Sequence, residues 1–365
     1  MLSSERLWVE RRSTWLHFPG PSSRPGSVRY MTQPKRDLTP GMQEQLDMGF
    51  TFGGLSTFGQ RPFLPDAHLL DEWQPHVAIV GAPYDNSTTN RPGARFGPRA
   101  IRTQAYEPGS YHLDFGIEIF DWLEVVDFGD AHCPHGQTDL SLSNIKSRVG
   151  EVARRGIVPL VLGGDHSITW PSATAVAEVV GFGRVGMVHF DAHADTAPHC
   201  DGNLASHGTP MRHLIESGAI PGKNFVQVGL RGYWPPAEVF AWMKDQGMRW
   251  HTMDEIWRRG FQAVMAEAIA EALQSADYLY ISIDVDALDP SMAPGTGTPE
   301  PGGLLSSDLL RMVRTLCLEH QVVGIDIVEV APAYDVSELT VNVAHRLAFE
   351  CLAGLAERRR RAAQL

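Results

Sequence analysis

The segment Arg184-Val185-Gly186-Met187-Val188-His189-Phe190 passes without a break into Asp191-Ala192-His193-Ala194-Asp195. The first part is apolar with no in/out alternation, as expected of a strand buried on both faces of a parallel sheet. The second part ends that strand in carboxylates and imidazoles. Seven further runs repeat the first pattern: Val77–Val80, Leu123–Asp127, Ile157–Leu162, Phe225–Leu230, Arg249–Met253, Tyr278–Ile283 and Val322–Val328. Helical stretches separate most of them, at Leu140–Arg155, Ile168–Val180, Thr209–Ser217, Pro236–Lys244, Phe261–Gln274, Ser307–His320 and Thr340–Arg358. This alternation predicts an α/β domain with eight strands, as a three-layer, doubly wound, mainly parallel sheet. A (β/α)8 barrel has the same element order, and periodicity does not separate the two.

The ends of the chain read differently. Residues 1–30 carry five Arg and are rich in Ser and Pro, which predicts a disordered or spurious extension, with a targeting segment as the competing reading. Residues 31–72 read as an N-terminal arm and 73–365 as one domain. The chain of 365 residues has 43% hydrophobic and 20% charged residues, the profile of a folded globular protein. Its net charge of −12 disfavours nucleic acid and suits a cationic ligand. No apolar run reaches the roughly 20 residues of a membrane span. The four cysteines (Cys133, Cys200, Cys317, Cys351) form no C-x-x-C pair, which argues against a disulfide scaffold or thiolate zinc. A soluble cytoplasmic protein is the expectation.

In open α/β sheets ligands bind beyond the carboxyl ends of the strands. Three of those ends share one character here. Ile157–Leu162 leads into Gly163-Gly164-Asp165-His166-Ser167, Arg184–Phe190 into Asp191–Asp195, and Tyr278–Ile283 into Asp284-Val285-Asp286. Alternate residues project to one side of a strand, so Asp191, His193 and Asp195 converge, as do Asp284 and Asp286. Crowded carboxylates repel, and multivalent cations relieve that repulsion. Asp191, Asp195, Asp284 and Asp286 balance two divalent cations, with His166 and His193 as neutral donors. Such an oxygen-rich set suits Mn²⁺, with Ni²⁺ the alternative. Paired metals about 3.5–4 Å apart acidify a shared water.

These motifs resemble the ureohydrolase family of arginases, agmatinases and related amidinohydrolases. The likeness extends to Ser206-His207-Gly208-Thr209-Pro210, to Ser282–Pro290 continuing through 293–304 (APGTGTPEPGGL), and to 324–332 (GIDIVEVAP). It covers roughly residues 50–355, and the two longest stretches point to the agmatinase-like branch. The resemblance implies an arginase-like fold, a trimer or hexamer, and the release of urea and an amine from a small guanidino compound. It also implies that one metal is held by His166, Asp191, Asp195 and Asp284, and the other by Asp191, His193, Asp284 and Asp286. His207 matches the proton-shuttling histidine of the family and Glu329 the carboxylate that grips the guanidinium, while Asp195 passes a proton to the leaving nitrogen.

Substrate choice should reside in the loops 85–91, 196–205 and 231–236. Thr89 and Asn90 stand where many agmatinases have a serine and an aromatic residue. Agmatine therefore ranks only narrowly ahead of guanidine, a substituted guanidine or biguanide, and a guanidino acid such as 4-guanidinobutyrate. Asn90, Arg91 and Asn203 are available to anchor a carboxylate, and Trp234 to stack on a planar cation. His199 and Cys200 lie in the loop after the metal motif, and His199 reads as a surface residue, with a contact to substrate as the alternative. A non-catalytic subunit would be expected to have lost a ligand, and this chain retains the full set.

Overall fold

The computed structural model describes residues 55–104 and 109–364. The apolar runs form β1 (Val77–Ala82), β2 (Val125–Asp130), β3 (Val158–Gly163), β4 (Val185–Phe190), β5 (Phe225–Leu230), β6 (Arg249–Thr252), β7 (Tyr278–Asp284) and β8 (Val322–Val328). They make one open sheet in the order β2-β1-β3-β8-β7-β4-β5-β6, with every pairing parallel. The order rules out the barrel, because β2 and β6 are edges that do not meet.

The helices that follow β2 include α1 (Thr138–Ala153), α2 (Thr169–Val180), α3 (Pro210–Glu216), α4 (Ala237–Asp245), α5 (Met253–Arg259), α6 (Phe261–Ala272), α7 (Ser306–Glu319) and α8 (Leu339–Ala363). One face of the sheet packs its Leu162, Val188, Ile281 and Ile325 against α6, α7 and α8. The other packs Val161, Met187 and Val323 against α1 to α4. Burial on both faces explains why the central strands are mainly apolar.

Six of the eight strands differ from their runs by one to three residues at an end, and two of these shifts follow from neighbouring helices. The sixth run ends at Thr252, not Met253, because Thr252 caps α5 by accepting a hydrogen bond from the Glu255 N–H at 3.3 Å. The second strand begins at Val125, not Leu123, because Leu123 closes the short helix Ile119–Trp122, and it runs on to Asp130. Within 31–72, residues 55–72 are described and include most of the helix Ala67–Trp73. The reading of residues 1–30 lies outside the described residues. No helix among the described residues is long and apolar enough to cross a membrane.

The strand order has one consequence for function. β3, β8, β7 and β4 are consecutive neighbours at the centre of the sheet. Their carboxyl ends carry His166, Glu329, Asp284 with Asp286, and Asp191 with His193 and Asp195. Residues spread over more than 160 positions of sequence therefore share one rim.

Candidate active site

The rim is built by tight turns. Gly164 is needed where β3 ends, because a Cβ there would lie 1.7 Å from the Tyr84 carbonyl oxygen. His166 then opens a single helical turn capped by Asp165, which accepts from the Ser167 N–H at 3.1 Å. Asp284 ends β7 and accepts from the Asp286 N–H at 2.8 Å. Asp195 (φ 51°) and Glu329 (φ 64°) both have left-handed backbone. That conformation costs a non-glycine residue roughly 1–3 kcal/mol, and such strain concentrates at functional sites.

Two donor clusters result. His166 Nδ1 lies 3.1 Å from Asp191 Oδ2, 3.1 Å from Asp195 Oδ2 and 3.0 Å from Asp284 Oδ2. His193 Nδ1 lies 3.0 Å from Asp286 Oδ2 and 3.5 Å from Asp191 Oδ1. Asp191 is common to both and turns one oxygen to each. Asp191, Asp284 and Asp286 are buried, and Asp195 and His166 nearly or fully so.

The electrostatics fit cations. Burial, then the charges of Asp286 and Asp191, push the Asp284 carboxyl well above its ordinary pKa. Burial would lower the two imidazoles, yet Asp191, Asp195 and Asp284 raise His166 well above the ordinary value, and Asp286 and Asp191 push His193 up to about 12. Protons are thus held where carboxylates and imidazole nitrogens converge. A divalent cation, which this donor chemistry suits, would replace them. Donor atoms of His166, His189, Asp191 and Asp195 lie within 4.8 Å of one another, as do those of Asp191, His193 and Asp286.

Beside the clusters, Glu329 Oε1 accepts from the His166 backbone N–H at 2.9 Å and lies 2.9 Å from His207 Nδ1. Glu329 Oε2 is buried with no partner, an anionic acceptor that a cation would satisfy. Thr89 holds the far side of the imidazole, its Oγ1 2.7 Å and its N–H nitrogen 3.1 Å from His207 Nε2. Burial lowers the His207 pKa, but the hydrogen bond and charge of Glu329, with Asp165 and Asp195 near, outweigh it and push it up to about 9.

These groups open into a cavity of about 670 Å³ whose lining includes His193, Asp195, His207, Asp284 and Glu329 at its floor and Asp201, Trp234 and Glu238 elsewhere on its wall. The model of the Arginase family matches residues 75–354.

The chain belongs to the arginase family.

It is similar to a protein of Gallus gallus named mitochondrial agmatinase, with 42% identity over 301 residues, 82% of this chain and 85% of the relative. It is 38% identical over 279 residues to the Homo sapiens mitochondrial guanidino acid hydrolase, covering 76% of this chain and 78% of the relative. Among solved structures it is similar to the proclavaminate amidino hydrolase of Streptomyces clavuligerus, with a TM-score of 0.76 and 34% identity, covering 85% of this chain and 99% of that one. This arginase-family chain is accordingly an amidinohydrolase acting on guanidino carbon–nitrogen bonds.

The structure brings His166, Asp191, His193, Asp195, Asp284, Asp286, His207 and Glu329 of this arginase-family protein together, and places Trp234 on the cavity wall with its ring edge-on to His193 at 6.4 Å. Asn90 is not among the lining residues, and its amide donates to the Gly297 carbonyl at 2.9 Å. Arg91 stacks over Tyr334 at 5.5 Å, and Asn203 Oδ1 accepts from the Ala205 N–H at 3.0 Å. His199 is exposed, as expected, and with Cys200 it also lines the cavity. Three further members escaped the sequence reading. His189 lies within the first cluster, although its period-2 spacing from Asp191 and His193 was a signal. Asp201 lies in a turn of the loop 196–205 named for substrate choice without being singled out, and Glu238 comes from α4, which no spacing links to the motifs.

Proposed function

We propose that the protein hydrolyses a guanidino compound with a cationic tail, agmatine to putrescine and urea, with two Mn²⁺ ions per chain. One ion would be held by His166, Asp191, Asp195 and Asp284, and the other by Asp191, His193, Asp284 and Asp286. When bound, the pair supplies Lewis acidity and a water acidic enough to attack near neutral pH. Glu329 orients the planar guanidinium through charge-assisted hydrogen bonds, for which Oε2 stands free of protein partners. His207 accepts from the Thr89 N–H at Nε2, holds a proton at Nδ1 toward Glu329 and exchanges protons with the cavity. Asp195 receives and returns the proton bound for the leaving amine.

The observation that carries the choice of substrate is the charge of the cavity. Asp201 and Glu238 line it beyond the floor, and among the described residues no Lys or Arg does. An ammonium tail is attracted there and a carboxylate tail repelled. The side chains available to anchor a carboxylate, Asn90, Arg91 and Asn203, make other contacts. We place the working form as a homotrimer or homohexamer in a reducing compartment, cytoplasmic or, as in the relatives named above, mitochondrial. Its four cysteines are free thiols there. Colorimetric urea assay over agmatine, 4-guanidinobutyrate, guanidine and arginine, with Mn²⁺ and Ni²⁺ compared, tests the proposal. Agmatine with Mn²⁺ should be fastest, and urea from none of them would overturn it.

A further inference from the structure

His189 is the penultimate residue of β4 and is fully buried. Its Nε2 approaches Asp191 Oδ2 to 2.8 Å, and its Nδ1 lies 2.9 Å from the side-chain nitrogen of Gln227. Gln227 stands directly opposite His189 on β5. The same amide nitrogen donates to the Ala194 carbonyl. A carbonyl oxygen only accepts, so Ala194 sets which end of the Gln227 amide faces inward. The inward end is NH₂, with two hydrogens and no acceptor capacity. His189 Nδ1 must then accept, and the single proton of the neutral ring sits on Nε2, facing Asp191 Oδ2.

The other oxygen of that carboxylate is held as well. Asp191 Oδ1 accepts from the His193 backbone N–H at 2.6 Å. Asp191 thus meets a main-chain donor at Oδ1 and the close Nε2 of His189 at Oδ2, although the geometry of that second approach does not yet make a hydrogen bond. Asp191 is the side chain whose two oxygens face the two donor clusters, so its rotation decides whether both can be served at once. Neither His189 nor Gln227 is among the eight residues assigned above to metals or substrate.

We propose that His189 is a positioning residue for Asp191, with its tautomer set by Gln227 and Ala194. Its buried N–H orients the carboxylate that joins the two metal sites. The inference rests on the reading of Asp191 as the shared ligand. Partners of this kind set ligand orientation in metal sites, and their loss lowers metal affinity about 10–100-fold.

The test is Mn²⁺ binding followed by electron paramagnetic resonance on the full chain, where two ions sharing a carboxylate give an exchange-coupled spectrum. His189→Leu removes the donor. His189→Gln keeps an N–H near the position of Nε2. Gln227→Glu presents an acceptor to Nδ1 and draws the proton away from Nε2, so it reports even where His189→Leu does not fold. The expected result is a coupled spectrum in the wild type and in His189→Gln. His189→Leu and Gln227→Glu should lose the coupling and bind Mn²⁺ about tenfold or more weakly. Wild-type affinity and coupling in Gln227→Glu, or equal losses in His189→Gln and His189→Leu, would overturn the positioning role. A wild-type protein that never shows a coupled pair would instead overturn the binuclear reading itself.

Discussion

His207 Nδ1 and Glu329 Oε1 lie 2.9 Å apart at the floor of the cavity, while the second oxygen of Glu329 is buried and unpartnered. One carboxylate thus has two duties, to hold the imidazole and to meet a cation. Glu329→Gln keeps the shape and removes the charge. We expect KM for the guanidino substrate to rise at least tenfold, about 1.4 kcal/mol of lost binding, with a further fall in kcat as His207 loses its anionic partner. Steady-state kinetics on the variant check this.

The same pair governs the alkaline limb of the pH profile. The His207 pKa is raised, so its proton is fully held below the ordinary histidine value and is lost as pH rises through about 9. Cations bound at the neighbouring carboxylates move that limb downward, because positive charge disfavours the imidazolium. A pH–rate profile should therefore fall on the alkaline side at or below about 9. In His207→Asn that limb should vanish and kcat should drop about 100-fold or more.

Specificity should follow the charge of the cavity wall. Asp201 and Glu238 face the cavity without a basic counterpart among the described lining residues. Charge reversal in Glu238→Lys should lower kcat/KM for agmatine about tenfold, roughly 1.4 kcal/mol, and improve that for 4-guanidinobutyrate. The ratio of the two constants, compared between wild type and variant, is the measurement.

Metal removal should cost stability as well as turnover. Without cations, Asp191, Asp284 and Asp286 remain buried beside one another, which raises the Asp284 and Asp286 pKa values through burial first and mutual repulsion second. Ions at 100 times their Kd add about 2.7 kcal/mol to the folded state. Dialysis against a chelator should lower Tm by several degrees, and Mn²⁺ should restore it in the wild type but not in Asp284→Ala.

Much of this was legible from residue pattern, and what was not has physical reasons. β5 and β8 appear in the structure with the bounds of their apolar runs, since every residue of both is buried. The metal motifs were legible because alternate residues at a strand end face one way. Strand order was not, because it depends on how the crossover helices pack, and so the choice between open sheet and barrel waited on the structure. His189 was hidden inside an apolar strand. Gln227, Asp201 and Glu238 meet the site only through tertiary packing, on a neighbouring strand, a turn and a helix.

The central claim is that Asp191 joins two metal sites that act together on one guanidinium. The most direct test titrates chelated protein with Mn²⁺ while urea release from agmatine is followed. The account predicts that activity develops only with the second equivalent, saturates at two ions per chain and is absent throughout in Asp191→Ala. Full activity at one equivalent, or substantial urea release from Asp191→Ala, would contradict it.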